Sequence, residues 1–466
     1  MYVINKINSP QLKKIHSGKV RDSFRISEDV RMLVVSDRIS SFDSVLNSEI
    51  PYKGAVLNGI SDWWFQQTDD VIGNHFIKMI DPNIALVKEA EPIRIEMIVR
   101  GYLTGSMWRR YQRGDRVFSG VKTADGLTKN QKFSHPILTP TTKEEHDREI
   151  TPEDIINEGW TTQELYDQMA EVALQLFQRG TDLLAEKGII LVDTKYEFGM
   201  LDGKLILIDE IHTPDSSRFW SMESYEKSSG NIDQMDKEYV RQWLLNNKKD
   251  DVLPELLPPE VISETSRRYL SIYKIITGRN IIQDETLDIR QRIANNLVKE
   301  GIIKDGYVTI FMGSTSDLPH CEKMIKAMEK YEIFTQLRVC SAHKNGERLP
   351  QILSEYNNSI EPGVIIAVAG RSNGLGGALA ANSSLPVISC PPFKDKLDML
   401  VNINSTLMMP SKTPGLTVLD PDNAARAAIN CLNIGRLREI VNNEIVAIKQ
   451  SLIDADNEFK NRKNKS

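Results

Sequence analysis

Residues 311–317 read FMGSTSD and residues 364–377 read VIIAVAGRSNGLGG: two short apolar runs, each ending in a compact cluster of glycine, hydroxyl and charged residues. Between them Ser341-Ala342-His343-Lys344 follows another strand-like stretch, 333–340. In a parallel α/β sheet the loops leaving the carboxyl ends of the strands converge, and ligands bind where they meet. Three polar strand ends of this kind predict one phosphate- and ribose-binding crevice. From Gly306 onward strands and helices alternate over 307–312, 318–330, 333–340, 364–369 and 387–390. That pattern predicts a parallel sheet with helices on both faces, a three-layer α/β domain spanning 306–466.

Upstream the alternation is lost. Strand-like runs such as RMLVV (31–35) and KLILI (204–208) mix with longer helical stretches, so residues 1–279 read as a separate α+β domain. Over 165–187 Met169, Val172, Leu176 and Leu183 recur near helical spacing, and Gly188 stands where a helix would stop before the strand-like 189–192. Residues 280–305 are polar and moderately amphipathic, and read as a linker with one bridging helix stopped near Gly301. The tail 457–466, NEFKNRKNKS, is polar enough to fray.

With 40% apolar and 26% charged residues, the 466-residue chain has the composition of a globular protein with ample core-forming side chains. A net charge of −6 argues against a nucleic-acid or anionic-membrane partner. The first residues lack a secretory apolar stretch, and no run approaches the roughly 18 apolar residues of a membrane span, so a cytoplasmic location is expected. The four cysteines, Cys321, Cys340, Cys390 and Cys431, show no CxxC spacing, which predicts reduced thiols rather than a zinc site.

Residues 17–22, SGKVRD, set a glycine beside two cations. Ser17, Gly18, Lys19 and Arg21 suit a phosphate, although the motif is not a Walker loop and an exposed basic turn would look the same. Residues 99–106, VRGYLTGS, offer Arg100 and Ser106 as donors to a second phosphate. DTKYEFG (193–199) and LIDEI (207–211) bring Lys195, Glu197, Asp209 and Glu210 onto neighbouring strands. Hard carboxylate oxygens beside nucleotide phosphates are what Mg²⁺ requires, although structural ion pairs would explain any one of them. TPDSSRF (213–219) adds Asp215, Ser216 and Arg218, and 139–147 adds Lys143, His146 and Asp147.

Taken in order, SGKVRD, SDRISSFD, VRGYLTGS, TKEEHD, DTKYEFG, IDE and TPDSSRF resemble the motifs of the phosphoribosylaminoimidazole-succinocarboxamide (SAICAR) synthetases over about residues 10–275. The stretches GLTKNQKFSHPILTPTTKEEHD and TPDSSRFW resemble the longer, yeast-type version. The resemblance implies an ATP-dependent ligase that joins carboxyaminoimidazole ribonucleotide (CAIR) to L-aspartate, with Mg²⁺. It implies that Lys19 contacts nucleotide phosphate, that Glu197 and Asp209 serve nucleotide and metal, and that Asp147 serves a metal near the substrate. Arg100 and Ser106 would hold the ribonucleotide phosphate, and Lys195, Asp215 and Arg218 fall at further substrate-side positions, Asp215 and Lys19 being the candidates closest to the chemistry.

In the second domain Gly313, Ser314, Ser316 and Asp317 can bind phosphate and ribose, or the serine and aspartate can simply cap the following helix. His343 is a candidate for proton transfer, with Lys344 beside it. GSTSD, SAHK and AGRSNGLG, with SCPP at 389–392, resemble the phosphoribosylaminoimidazole (AIR) carboxylases over about 307–440. Bacterial mutases of that family generally have a histidine where this chain reads Arg371-Ser372-Asn373-Gly374, so the resemblance is nearer the animal-type enzymes that take CO₂ directly, without ATP or biotin. Ser341, Arg371, Ser372 and Gly374 would join the substrate site. The fused order implies a bifunctional enzyme of purine biosynthesis acting on AIR, CO₂, CAIR, aspartate and ATP, and a homo-oligomer, an octamer built on the C-terminal domains. The alternatives are a ligase fused to a mutase, and a nucleotide-binding protein with one inactive centre.

Overall fold

The computed structural model describes residues 3–42, 44–144, 147–227, 232–250, 252–282, 288–370 and 374–463. The chain forms two units: Met1–Lys6 with Lys13–Ile289, and Ile7–Leu12 with Arg290–Ser466.

The first unit is α+β, with two main antiparallel sheets. One is ordered Lys13–Ser17, Arg21–Arg25, Val30–Val35, Ile84–Lys88, Phe76–Asp81. The other is ordered Lys132–Leu138, Glu91–Tyr102, Ile189–Leu201, Lys204–Ile208, with Ser217–Ser221 also pairing on Ile189–Leu201. Alternation along Ile189–Leu201 divides its labour: Tyr196 and Phe198 enter the core, while Lys195 and Glu197 make ion pairs. The helix expected near 165–187 runs over Gln163–Ala185. It is capped by Thr162, whose hydroxyl accepts from the Leu165 N–H, and Gly188 follows it at φ 73°. Its Met169, Ala173, Leu176 and Phe177 join the core, as do Trp64 of helix Lys53–Gln67 and Tyr269 of helix Pro259–Thr277.

The second unit is the expected α/β domain. Among the described residues its five strands are all parallel and lie in the order Phe334–Val339, Tyr307–Met312, Gly363–Val368, Val387–Ser389, Gly415–Thr417. Period-two alternation in the first strand builds both cores. Val308, Ile310 and Met312 pack with Met324 and Met328 of helix Leu318–Met328 and with Ala424 and Ala428 of helix Pro421–Leu432. Tyr307 and Phe311 pack on the opposite face with Leu353 of helix Leu349–Asn357 and Leu379 of helix Gly374–Asn382. The helix after Tyr307–Met312 therefore covers one face and the helix after its neighbour Gly363–Val368 the other. The gap between the carboxyl ends of those two strands is the switch point at which such sheets bind ligands.

Helix Ile289–Lys299 belongs to the second unit, where its Ile293, Ala294 and Leu297 are buried. The segment Ile7–Leu12 also belongs to this unit: the Ile360 N–H donates to the Asn8 carbonyl at 3.0 Å, and the Lys304 N–H to the Gln11 side-chain oxygen at 2.8 Å. The tail corrects one expectation. It does not fray at Asn457 but continues the helix Gly435–Lys463, which holds no internal proline or glycine and is supported by a Lys460–Asp456 pair at 2.5 Å. No helix among the described residues is long and apolar enough to cross a membrane.

Candidate active sites

Register sets the first site. Glu197 stands opposite Glu96 on one neighbouring strand and opposite Ile208, the residue before Asp209, on the other. Carboxylates facing each other across strands repel unless cations separate them. Lys195 supplies one cation, with Nζ 2.6 Å from Glu96 and 2.5 Å from Glu197, and Lys143 supplies a second on Glu197. Burial pushes the Glu197 carboxyl upward, but Lys195 and Lys143 outweigh it and hold the pKa well below the usual range. Glu96, where burial prevails, is raised. The site therefore holds one firmly ionised carboxylate beside one that more readily takes a proton.

Arg21 reaches this row from the other sheet, pairing with Asp209 and, at 3.3 Å, with Glu210. Burial opposes its charge, and the two carboxylates more than offset that. The preceding turn is shaped by Asp22, which is buried and accepts from Ser17 at 2.8 Å, Lys14 at 3.0 Å and Arg38 at 3.0 Å. The Gly18 N–H donates to the Arg21 carbonyl at 2.8 Å, closing a tight turn that leaves Ser17 and Lys19 exposed. The donor set of Glu197 and Asp209 is hard oxygen, which fits Mg²⁺. Among the described residues no three acidic, histidine or cysteine side chains form a closed cage, so nucleotide phosphates would have to complete any coordination there. Asp147 is exposed, and its charge acts on Glu96; His146 lies outside the described residues.

A second cluster lies farther along the same two strands. Arg100 donates to Thr139 at 2.8 Å and to Asp193 at 3.3 Å, and Arg218 also donates to Asp193. One carboxylate thus spaces two half-buried guanidinium groups that would otherwise repel. Gly105, at φ 60°, opens the helix Gly105–Gln112, and a Cβ there would lie 2.5 Å from Arg218 Nη2. Only glycine leaves that approach open. Exposed Ser106 and the first N–H groups of the helix follow Gly105 beside Arg218, and with Arg100 on the other side of Asp193 they suit a phosphate dianion.

Asp215 has partners that the sequence did not reveal. It accepts from Lys53 at 2.7 Å and from the Tyr269 hydroxyl at 2.7 Å, with Lys237 at 3.7 Å. Burial alone would raise the Asp215 pKa; Lys237 and Lys53 pull it below the carboxylate range. Burial lowers Lys237 to about 8. Neither lysine belongs to a short motif, and both are brought to Asp215 by tertiary folding. Glu96 did leave a signal, as one of the few charges in the apolar strand IRIEMIV.

In the second unit the three predicted strand ends converge. The Gly313 N–H donates to Val368 at 2.9 Å and the Cys340 N–H to Met312 at 3.0 Å, tying GSTSD to the AGRSNG end on one side and to SAHK on the other. A Cβ on Gly374 would stand 2.6 Å from His343 Cε1 and 3.0 Å from Nε2, so the imidazole lies against the start of helix Gly374–Asn382. Ser314 accepts from the Ser316 N–H at 3.3 Å and from its hydroxyl at 3.0 Å, which is the capping role weighed above. Asp317 makes no side-chain cap on the helix Leu318–Met328, and burial raises its pKa against the lowering effect of a bond to the Ser314 backbone. Ser341 is half-buried, its N–H donating to Asn345 at 2.8 Å, while His343 and Lys344 are exposed. Arg371 and Ser372 lie outside the described residues.

A carboxylate row with a cationic turn, beside a paired-arginine phosphate cradle, defines a unit built to handle phosphorylated nucleotides; the unit that follows it in sequence is an α/β domain with a strand-end crevice. The SAICAR synthetase family model matches residues 14–256, and the AIR carboxylase family model matches 307–453. The phosphoribosylaminoimidazole-succinocarboxamide synthase of Legionella pneumophila (strain Paris) is 43% identical over 297 residues, which cover 61% of this chain and 94% of that protein. The corresponding protein of Bacteroides fragilis (strain YCH46) is 43% identical over 301 residues, covering 62% and 96%. The solved SAICAR synthase from Saccharomyces cerevisiae, complexed with SAICAR, aligns at 33% identity and TM-score 0.54, covering 60% of this chain and all of that one. The chain belongs to the SAICAR synthetase family, with an AIR carboxylase-family domain fused behind the ligase. Its first unit is accordingly an ATP-utilising ligase of purine biosynthesis.

Proposed function

We propose that the chain performs two consecutive steps: its second unit carboxylates AIR with CO₂ to give CAIR, and its first joins CAIR to L-aspartate with ATP to give SAICAR, ADP and phosphate. The observation that carries this reading is the presence of both family regions on one chain, with His343 set against Gly374 in the strand-end crevice.

The aminoimidazole ring is electron-rich at C4, so its electrons can form the new C–C bond to CO₂ unaided. C4 then bears both a proton and a carboxylate. His343 removes that proton, and the ring electrons return to restore aromaticity. Lys344 stabilises the new carboxylate; Ser314, Ser316 and the helix-start N–H groups hold phosphate, and Asp317 accepts from ribose. In the ligase, a carboxylate oxygen of CAIR attacks the γ-phosphorus and ADP departs; the aspartate amine then attacks the acyl carbon and phosphate leaves. Lys19 with Ser17 and Gly18 cradles the ATP phosphates, Arg100, Arg218 and Ser106 hold the CAIR phosphate, and Lys195 and Asp215 orient the reacting groups. Glu197 and Asp209, with Asp147 on the substrate side, would hold Mg²⁺, which offsets charge on the transferring phosphoryl group.

The second reading for the C-terminal unit is a mutase acting on N5-carboxylated nucleotide, and the sequence Arg371-Ser372-Asn373-Gly374 favours the carboxylase. Incubation with AIR and labelled bicarbonate in the absence of ATP tests this. Label in CAIR supports direct carboxylation, whereas CAIR formed only from supplied N5-carboxylated nucleotide assigns the mutase. A cytoplasmic homo-oligomer, an octamer through the C-terminal units, completes the proposal. It is supported by exposed Leu397, Leu400, Val401 and Met408 on and just after helix Lys396–Leu407.

A further inference from the structure

Beneath the carboxylate row a second polar pair is sealed in the core. Tyr196 lies between Lys195 and Glu197 but points to the opposite side of the strand, where its hydroxyl meets His212 Nε2 at 2.5 Å. Both residues are fully buried. His212 belongs to the loop after Ile208 that carries Asp209, Glu210 and Asp215. One buried hydrogen bond thus ties the strand of Lys195 and Glu197 to the loop of the other three carboxylates.

That loop needs such a tie. Asp209 and His212 both have left-handed backbones, φ 66° and 46°, a conformation uncommon outside glycine that Asp and His tolerate better than most and that packing must still hold in place. The surroundings of His212 are specific. Trp64 meets its ring edge-on, with centroids 4.5 Å apart, and Gly180 of helix Gln163–Ala185 makes room, since a Cβ there would stand 2.4 Å from His212 Cε1. Thr213 completes the loop, donating from its hydroxyl to Glu210 at 2.7 Å.

We propose that Tyr196 and His212 form a positioning pair for the ligase, setting the loop conformation that aims Asp209, Glu210 and Asp215 at the nucleotide without themselves touching substrate. This rests on the ligase reading in which Glu197 and Asp209 serve nucleotide and metal. Loss of the Tyr196 hydroxyl releases the middle of the loop at His212, while its ends stay held by strand pairing and by the Lys195 N–H on the Ser216 carbonyl, and the ring still fills the core.

The test uses the full chain with Tyr196→Phe, and with His212→Gln compared against His212→Phe, because the glutamine amide can still meet the tyrosine hydroxyl. Two quantities are measured: steady-state ligase kinetics, and the rise in Tm produced by ADP with Mg²⁺ relative to ADP in EDTA. Tyr196→Phe is expected to lower kcat about tenfold and to shrink the metal-dependent Tm rise, with KM for CAIR within twofold. His212→Gln should retain more of both than His212→Phe. Variants that lose Tm but keep kcat and the metal-dependent rise overturn the proposal and leave a purely structural contact. A wild-type protein with no metal-dependent rise removes the metal reading itself, and the proposal with it.

Discussion

Gly105→Ala isolates the paired-arginine cradle with the smallest change available. The added methyl would stand 2.5 Å from Arg218 Nη2, 2.6 Å from Cζ and 2.7 Å from Nη1, so contact is certain and something must move. The guanidinium is the part able to yield, because the Gly105 backbone is fixed at φ 60° by the start of its helix. Arg218 also holds Asp193 and lies 3.9 Å from Glu238, so it has little freedom to make an equivalent contact elsewhere. Left-handed alanine costs about 1–2 kcal/mol of folding stability, which the chain should survive. Losing one hydrogen bond to a charged group costs about 1.5–3 kcal/mol of binding, and at about 1.4 kcal/mol per factor of ten KM for CAIR should rise roughly 10- to 150-fold. The phosphate stays bound through the reaction, so the loss falls on ground and transition states alike and kcat should change little. ADP release measured against CAIR, with ATP and aspartate saturating, reads this directly. A KM for CAIR within twofold of wild type, or an equal rise in KM for ATP, would remove Arg218 from the proposed cradle.

Gly374→Ala should act the same way in the other unit: its Cβ would stand 2.6 Å from His343, so carboxylation should fall at least tenfold while ligation of supplied CAIR persists, and paired loss of both activities would refute their independence. His343→Ala should abolish carboxylation with the ligase again spared, whereas Lys19→Ala should do the reverse. Lys237, lowered by burial to about 8, supplies a signed pH test. A depressed lysine penalises folding in full below pH 8, where the fold must hold it charged, and the penalty is relieved between 8 and its unfolded value near 10.5. Its contribution to stability therefore rises with pH over that window. Ligase activity that depends on the charged form beside Asp215 should instead fall through about pH 8, where the folded protein loses that proton, and Lys237→Arg should abolish the falling limb; an alkaline limb unchanged in that variant assigns it to another group.

The second unit was the more legible because its chemistry sits at strand ends, where local sequence changes abruptly from apolar runs to glycine, serine and charge. The first unit's motifs marked the polar face of its sheet but not the side chains that discipline them. Lys53 is the first residue of an otherwise ordinary helix, Lys237 follows a loop, and Tyr269 looks like one more core aromatic, yet all three converge on Asp215. Asp193 stands in the DTKYEFG motif, but its role between Arg100 and Arg218 exists only once three strands are in register. The tail was misread on polarity alone. Its exposed Ile448, Leu452 and Phe459 and the absence of internal helix breakers were the better guides. Segment Ile7–Leu12 was invisible for a different reason: nothing in six residues says that they pair with Ile360 and Lys304.

The most direct test of consecutive chemistry on one chain gives the purified protein AIR and bicarbonate first, then aspartate and Mg-ATP, and follows both products by absorbance and mass. CAIR is expected before any ATP is present, and SAICAR with stoichiometric ADP after the second addition. SAICAR formed only when CAIR is supplied would leave a working ligase and contradict direct carboxylation by the second unit.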